Sequence, residues 1–348
     1  MQKKARHTIF EAACSDLAVR LDRKPLPELA GIRLFATGCT GFFGYWLLAT
    51  LECLNRRGQA IEVVALSRDP HAFLCRHPEF RDRPWLSFVQ GDVTRFQMPN
   101  GQFKAVIHGA TDSSPQAAAD PSALLAGMID GTRRVLDALA SAGCQRFLLL
   151  SSGAVYGEQP ASVPALKEDD GLAGDHLSPG NTYGEGKRVM EMLCASKADM
   201  HVPAPVVARC FAFLGPYLPA HLAPAQFVRD ALAGRPIVLR GDGSPLRSYL
   251  YAADLAMWLL TLLARGNPGR VYNVGGDQAI SLADLARVIR DTVAPSAAID
   301  ILGADSGAPR HRYLPDTRRA REELGLEAWT PLPQAIARMA EAIAPASR

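Results

Sequence analysis

From residue 31 onward, short apolar runs alternate with longer segments of helical periodicity. The runs 32–36, 61–66, 86–90, 105–108, 146–151 and 206–213 predict six strands, and 45–57, 122–142 and 181–199 predict helices between them. Strand and helix in strict alternation predict an α/β fold, a Rossmann-type doubly wound parallel sheet. Ahead of it, Ile9, Ala12, Ala13, Leu17 and Leu21 recur at helical spacing, and Pro25 and Pro27 end that segment. Residues 1–30 therefore read as a helical extension that packs on the core or at a subunit interface. After Gly215-Pro216, prolines and glycines become frequent and the periodic segments shorten. That change predicts a main domain over 31–216 and a smaller C-terminal α/β lobe over 217–348, part of which returns to the sheet.

Thr37-Gly38-Cys39-Thr40-Gly41-Phe42-Phe43-Gly44 follows the first predicted strand and opens the first long helix after it. Strand, glycine turn and helix are the context that a dinucleotide site requires. Gly38 permits the tight turn, Gly41 lets backbone approach a pyrophosphate, and Gly44 lets helix and strand pack closely. The helix start offers free N–H groups to phosphate. Cys39 reads as a small residue that fits the loop. At the end of the second strand, an acid would hold the ribose of NAD and an arginine would accept the phosphate of NADP. Ser67-Arg68 leans the reading to NADP, with Asp69 on the ribose as the opposing reading.

Ser152 closes the fifth strand, and open parallel sheets bind ligands beyond the carboxyl ends of their strands. Tyr183 and Lys187, four residues apart, share one helix face. An ammonium beside a phenol favours the phenolate, so a lowered Tyr183 pKa is expected. Such a tyrosine can exchange a proton with a hydroxyl while a cofactor moves hydride.

The chain has 348 residues and a net charge of +3, with no basic tract, which argues against a nucleic-acid partner. Seven scattered cysteines lack metal-like spacing and fit a reducing, cytoplasmic setting; no metal site is expected. No apolar run reaches the ~20 residues of a membrane helix. The basic start, Met1 to Arg6, meets polar and acidic residues too soon for a secretory signal.

TGxxGxxG, Asp92 in Gly91-Asp92-Val93, His108-Gly109-Ala110, SSxxVYG and YxxxK occur in the order found in the extended short-chain dehydrogenase/reductases. Within them the chain resembles the NAD-dependent epimerase/dehydratase family, which acts on nucleotide sugars; segments 209–216, 240–247 and 272–276 agree. The resemblance implies that Ser152, five residues before Gly157, hydrogen-bonds the reacting sugar oxygen. Tyr183 is then the acid/base, and Lys187 lowers its pKa and holds the nicotinamide ribose. The implied NAD(P) cradle comprises Gly38, Thr40, Gly41, Phe42, Phe43, Gly44, Ser67, Arg68, Asp92 (at the adenine), Val93, Ala110 and Thr111, with Tyr183 and Lys187. Arg247, in GDGxxxR, and Arg310 grip the diphosphate of a nucleotide-diphosphate sugar. Arg312 is a candidate for the same role as Arg310, both lying near Asp316, with a surface salt bridge as the plain alternative for the two; Arg209 and Tyr249 are secondary candidates.

Departures from the family pattern bear on the reaction. Sugar 4,6-dehydratases of this family carry Asp-Glu directly after the catalytic hydroxyl, and related decarboxylases keep a Glu there. Gly153 and Ala154 stand in those positions and carry no protons. The expectation is a nucleotide-sugar 4-epimerase working through a transient 4-keto sugar. An NADPH-dependent 4-keto-sugar reductase is the alternative, and Tyr183 with Lys187 argues against a non-catalytic dinucleotide sensor. Met128 and Ala212 replace two asparagines usual in the family. The resemblance also implies a homodimer through the helices of 122–142 and 181–199.

Overall fold

The structure, a computed structural model, describes residues 2–112, 114–198, 202–304, 307 and 310–344. Helix α1 (Gln2–Arg23) precedes β1 (Arg33–Thr37), α2 (Phe42–Arg56), β2 (Glu62–Ser67), α3 (Pro70–Arg76), β3 (Leu86–Gln90) and β4 (Ala105–His108). Next come α4 (Pro115–Ala118), α5 (Pro121–Leu139), β5 (Arg146–Ser152), α6 (Thr182–Ser196), β6 (Val206–Cys210), β7 (Ala212–Leu214), α7 (Ala223–Leu232), β8 (Ile237–Leu239), β9 (Leu246–Arg247) and β10 (Tyr249–Tyr251). The remainder is α8 (Ala252–Arg265), β11 (Val271–Val274), β12 (Ile280–Ser281), α9 (Leu282–Val293), β13 (Ile299–Ile301), β14 (Arg312–Tyr313), α10 (Arg318–Leu324) and α11 (Leu332–Ile343).

Seven strands form one sheet in the order β11-β6-β5-β4-β1-β2-β3, with every pairing parallel. Side chains alternate across it. Leu34, Ala36, Val63, Ala65, Ile107 and Leu148 face a core shared with α2 and α8, whereas Phe35, Val64, Val106, Phe147 and Leu149 face a second core shared with α5 and α6. Both faces of each strand are therefore apolar, which is why the runs read as continuous. The switch point, where β1 and β4 adjoin while the chain winds to opposite sides, opens a crevice beyond the carboxyl ends.

The lobe boundary is interleaved. After β6 the chain leaves the sheet, and α8 and β11 then return to it. The predicted strand 206–213 is in fact two: β6 stays in the sheet, Phe211 breaks out, and β7 pairs with β10 instead. Phe211 turns its ring onto Tyr313, centroids 4.7 Å apart, and this contact holds the break. Helix α6 ends at Ser196; Asp199, in the predicted span, lies outside the described residues.

Helix α1 packs on α2 and α8, so the extension is part of the core. Its buried stripe is Phe10, Ala13, Cys14, Leu17 and Leu21; Phe10 faces inward where Ile9 and Ala12 were expected, and both of those are half-buried. Phe10 meets Phe80 edge-on, centroids 5.4 Å apart. The Arg20 guanidinium ion-pairs with the fully buried Asp254 of α8 and donates to Thr330 beside α11. The first helix is thereby bolted to the last.

Candidate functional site

The glycine turn is built by close approach. Gly38 has φ +81°, and a Cβ there would lie 2.6 Å from the Gly109 carbonyl carbon. A Cβ on Gly44 would overlap the Cys39 backbone, so α2 can start this close to β1 only with glycine. Gly41, by contrast, opens to space, its nearest neighbour being Gly38 O at 3.7 Å. Helix α2 starts at Phe42 with no side chain capping it, which leaves the first-turn N–H groups of Phe42, Phe43 and Gly44 directed outward. A cradle closed behind by Gly38 and Gly44 and open at Gly41 fits a dinucleotide pyrophosphate. Thr40 is half-buried in this turn. Cys39 is buried, which pushes its thiol up to about 12 and keeps it protonated.

A buried chain fixes the turn to the neighbouring strand. The Thr37 hydroxyl oxygen accepts from the Gly109 and Ala110 N–H groups, at 3.2 and 3.1 Å, and donates to His108 Nδ1 at 2.9 Å. His108 Nε2 lies 3.2 Å from Thr132, whose hydroxyl is committed to the Met128 carbonyl. This network assigns His108 as the neutral Nε2–H tautomer. Burial, aided by the Lys187 charge, drops its pKa to about 3.

Arg68, Gln90, Asp92, Arg95 and Phe96 line a cavity of about 980 Å³ beyond β2 and β3. Ser67 accepts from the Asp69 N–H, and Asp69 caps α3 through Ala72 N at 2.8 Å, so this carboxylate is already engaged. Arg68 is exposed and lies 3.5 Å from Asp112. One Asp92 oxygen takes both the Thr94 N–H and hydroxyl, bonds that lower its pKa. Val93 wedges against Gly131 of α5.

Ser152, Tyr183 and Lys187 converge at the end of β5. Ser152 accepts from Ala154 N at 3.1 Å and hydrogen-bonds toward Tyr183. Helix α6 comes this near because Gly184 lies against the Ala154 carbonyl, which a Cβ would overlap. Gly186 gives α5 the same closeness, with the Met128 thioether lying where a Cβ at 186 would be. The buried Lys187 ammonium donates to Leu150 O at 2.8 Å and to Thr111 Oγ1 at 2.9 Å. Desolvation lowers its pKa to about 8.

The expected lowering of Tyr183 does not occur in this site. Burial pushes its phenol up to about 12, and the Ser152 hydrogen bond offsets only part of that. The Lys187 ammonium lies 5.8 Å from the Tyr183 ring centroid and is spent on Leu150 and Thr111.

Tyr313 enters the same centre without having been foreseen. Its hydroxyl donates to the Cys210 carbonyl at 3.5 Å and lies near enough to Ser152 to be influenced by it, and a Cβ on Gly153 would lie 2.8 Å from it and 2.8 Å from the Phe211 ring. Burial raises the Tyr313 phenol well above its ordinary value. The Arg247 guanidinium stands over the other side of this ring, 5.8 Å from the centroid. Only the parallel pairing of β14 with β9 puts Tyr313 beside Arg247, so no local pattern announces it. Of the other expected arginines, Arg310 is exposed and within electrostatic reach of Asp242 and Asp284. Arg312 sits on β14, and Asp316 pairs with Arg318 rather than with either. Tyr249 is raised to about 12 by burial, against the Arg247 charge. Arg209 faces away from the catalytic hydroxyls: it forks onto Glu191 of α6, and Ser151 donates to the same carboxylate. Among the described residues no cluster of His, Cys, Asp or Glu could hold a metal, and no helix is long and apolar enough to cross a membrane.

A parallel sheet with a glycine turn opening α2, and Ser, Tyr and Lys gathered at the carboxyl end of β5, defines a dinucleotide-dependent oxidoreductase of the extended short-chain dehydrogenase/reductase type. More narrowly, the chain belongs to the NAD dependent epimerase/dehydratase family, whose model matches residues 34–275. It is 26% identical over 313 residues to a dTDP-glucose 4,6-dehydratase from Streptomyces antibioticus, covering 88% of this chain and 91% of that one. It is 28% identical to UDP-glucuronic acid decarboxylase 2 of Arabidopsis thaliana, covering 88% and 67%. In structure it resembles the UDP-glucuronic acid 4-epimerase from Bacillus cereus, solved with UDP-glucuronic acid and NAD (TM-score 0.74, 23% identity, 90% and 99% covered). The dTDP-glucose 4,6-dehydratase from Streptomyces venezuelae, solved with NAD and TYD, is equally similar (TM-score 0.75, 23% identity, 89% and 96% covered).

Proposed function

We propose that this chain is an NADP-dependent 4-epimerase of a nucleotide-diphosphate sugar. The observation that carries this reading is the space beside Ser152. Gly153 and Ala154 stand where dehydratases carry acids, and Tyr313 and Phe211 fill the volume into which a side chain at 153 would grow. With no carboxylate there, the proton-active groups at the centre are the hydroxyls of Ser152, Tyr183 and Tyr313. Those suffice for chemistry at a single carbinol carbon.

The nicotinamide group, when bound, accepts and returns hydride. Ser152 and Tyr183 hold the C4 oxygen, and Tyr183 takes and restores its proton. With its pKa near 12, Tyr183 is protonated in the free site at neutral pH. It must give up that proton to act as a base, and the positive charge of an oxidised nicotinamide, when bound, would favour this. Lys187, fixed by Leu150 and Thr111, is placed to hold the nicotinamide ribose. Arg247 and Arg310 bind the diphosphate. Preference for NADP is supported by Ser67 in place of an acid, by Asp69 being engaged as a helix cap, and by Arg68 and Arg95 in one cavity. The same features favour the 4-keto-sugar reductase as the second reading.

The test is incubation with NADP or NAD and UDP-glucose, UDP-glucuronate or dTDP-glucose, and separately with NADPH and a nucleotide 4-keto sugar, with products separated by chromatography. A 4-epimer formed without net cofactor reduction is expected. Stoichiometric NADPH oxidation with a 4-keto sugar would establish the reductase instead, and accumulation of a 4-keto-6-deoxy sugar would overturn both.

Two further readings follow. Free thiols on all seven cysteines support a reducing, cytoplasmic setting. The outward side of α6 supports a homodimer through α5 and α6: Met192 is 62% exposed beside a groove of about 610 Å³ shared with Val189, Ala195 and Val271. Light scattering should give twice the chain mass, and Met192→Asp should halve it; a monomeric wild type would end that reading.

A further inference from the structure

We propose that His311 is a proton-linked member of the substrate clamp, taking up a proton when the diphosphate of a nucleotide sugar binds beside Arg247. This rests on the nucleotide-sugar reading above. Strand β14 pairs with β9, and the Leu246 N–H donates to the His311 carbonyl at 2.9 Å. That pairing sets His311 Nδ1 3.2 Å from an Arg247 guanidinium nitrogen. A guanidinium only donates, so Nδ1 is the acceptor and the ring is neutral while the pair stands. The same Arg247 nitrogen donates to its neighbour's carbonyl, Leu246 O, at 2.8 Å, which parks the fork at the mouth of the site. Arg247 in turn stands over Tyr313, whose hydroxyl lies near Ser152. The Arg247–His311 pair is thus one tyrosine ring away from the catalytic hydroxyls, a span suited to the phosphates of a sugar reacting there.

The charges around His311 set the sign. The charges that act on its ring are Arg247, from the neighbouring β9, and Glu158, from the loop after β5, while Arg310 and Arg312 are its neighbours along the chain. Burial and the Arg247 charge hold His311 below its ordinary value, against Glu158. A bound diphosphate reverses that balance. Arg247 turns its fork to phosphate oxygens, Nδ1 loses its donor, and two negative charges favour the imidazolium, which then donates to phosphate. A group whose pKa rises on binding tightens binding as pH falls.

The experiment is calorimetry with UDP-glucose, dTDP-glucose and GDP-mannose, each a diphosphate esterified at both ends that does not itself titrate near neutrality. Turnover is blocked by Tyr183→Phe. For the ligand that binds, affinity is expected to rise on the order of tenfold from pH 8 to pH 5.5, equivalent to one unit of pKa change. Proton uptake should appear as a dependence of binding heat on buffer ionisation enthalpy. Adding His311→Asn, an exposed change, should abolish both effects, and Arg247→Ala should lose the affinity itself. Binding without proton uptake, or uptake that survives His311→Asn, overturns the proposal while leaving the nucleotide-sugar reading intact. Binding of none of the three ligands overturns both.

Discussion

Tyr183→Phe is expected to lower kcat roughly a thousandfold, within the range general acid–base groups supply. The substitution removes one oxygen and keeps the ring. The ring packs against the core shared with α5 and α6 without the hydroxyl, so thermal stability should change little. Cofactor affinity should also hold, because Lys187 is anchored by Leu150 and Thr111 rather than by the phenol. The discriminating measurement is therefore paired: turnover of the substrate found above, and NADP binding by fluorescence, on one preparation. Turnover within tenfold of wild type would remove Tyr183 as the acid/base. Lost cofactor binding would instead show that the hydroxyl holds the site together.

Arg20→Ala should cost about 3 to 5 kcal/mol of stability, the usual consequence of leaving a buried charge without its partner. Asp254 is fully buried and depends on Arg20, Thr330 N at 2.9 Å and the Thr330 hydroxyl. Burial already raises its pKa, with Arg20 pulling the other way. Without Arg20 it rises further, and an acid raised by folding stabilises only below its folded pKa. The deficit should therefore be larger at pH 8 than at pH 5 in denaturant melts. Because the harm comes from the orphaned carboxylate, Arg20→Ala with Asp254→Ala should be milder than Arg20→Ala alone. Equal losses at both pH values, or additive single effects, would show that the pair acts only through packing.

What could be read from the chain alone follows from range. The strands are apolar on both sides because helices cover both sides, and the glycine turn is dictated by contacts within a few residues, so both were legible. Ser152, Tyr183 and Lys187 carried motif spacing, and their convergence needed only one strand and one helix. Tyr313 and His311 were not legible, because a pairing between β9 and β14, distant in sequence, brings them to the site. The Phe211 break in the predicted 206–213 strand was hidden for the same reason: it answers to the Tyr313 ring. The expected fall of the Tyr183 pKa failed on magnitude. Spacing on a helix shows that a lysine is near, but it does not show that the ammonium is already bonded elsewhere while the phenol is desolvated.

The Arg20–Thr330 contact spans 310 residues, and it sets an order of events on the ribosome. At about 5 to 20 residues per second, roughly 15 to 60 s separate the emergence of these two partners. Through that interval the apolar stripe of α1, Phe10 to Leu21, can dock on α2 but cannot complete its seat against α8 and the segment before α11. Helix α1 is thus made long before it can be locked. A nascent chain stalled before residue 254 should expose that stripe to chaperones, and release of the finished chain should hide it.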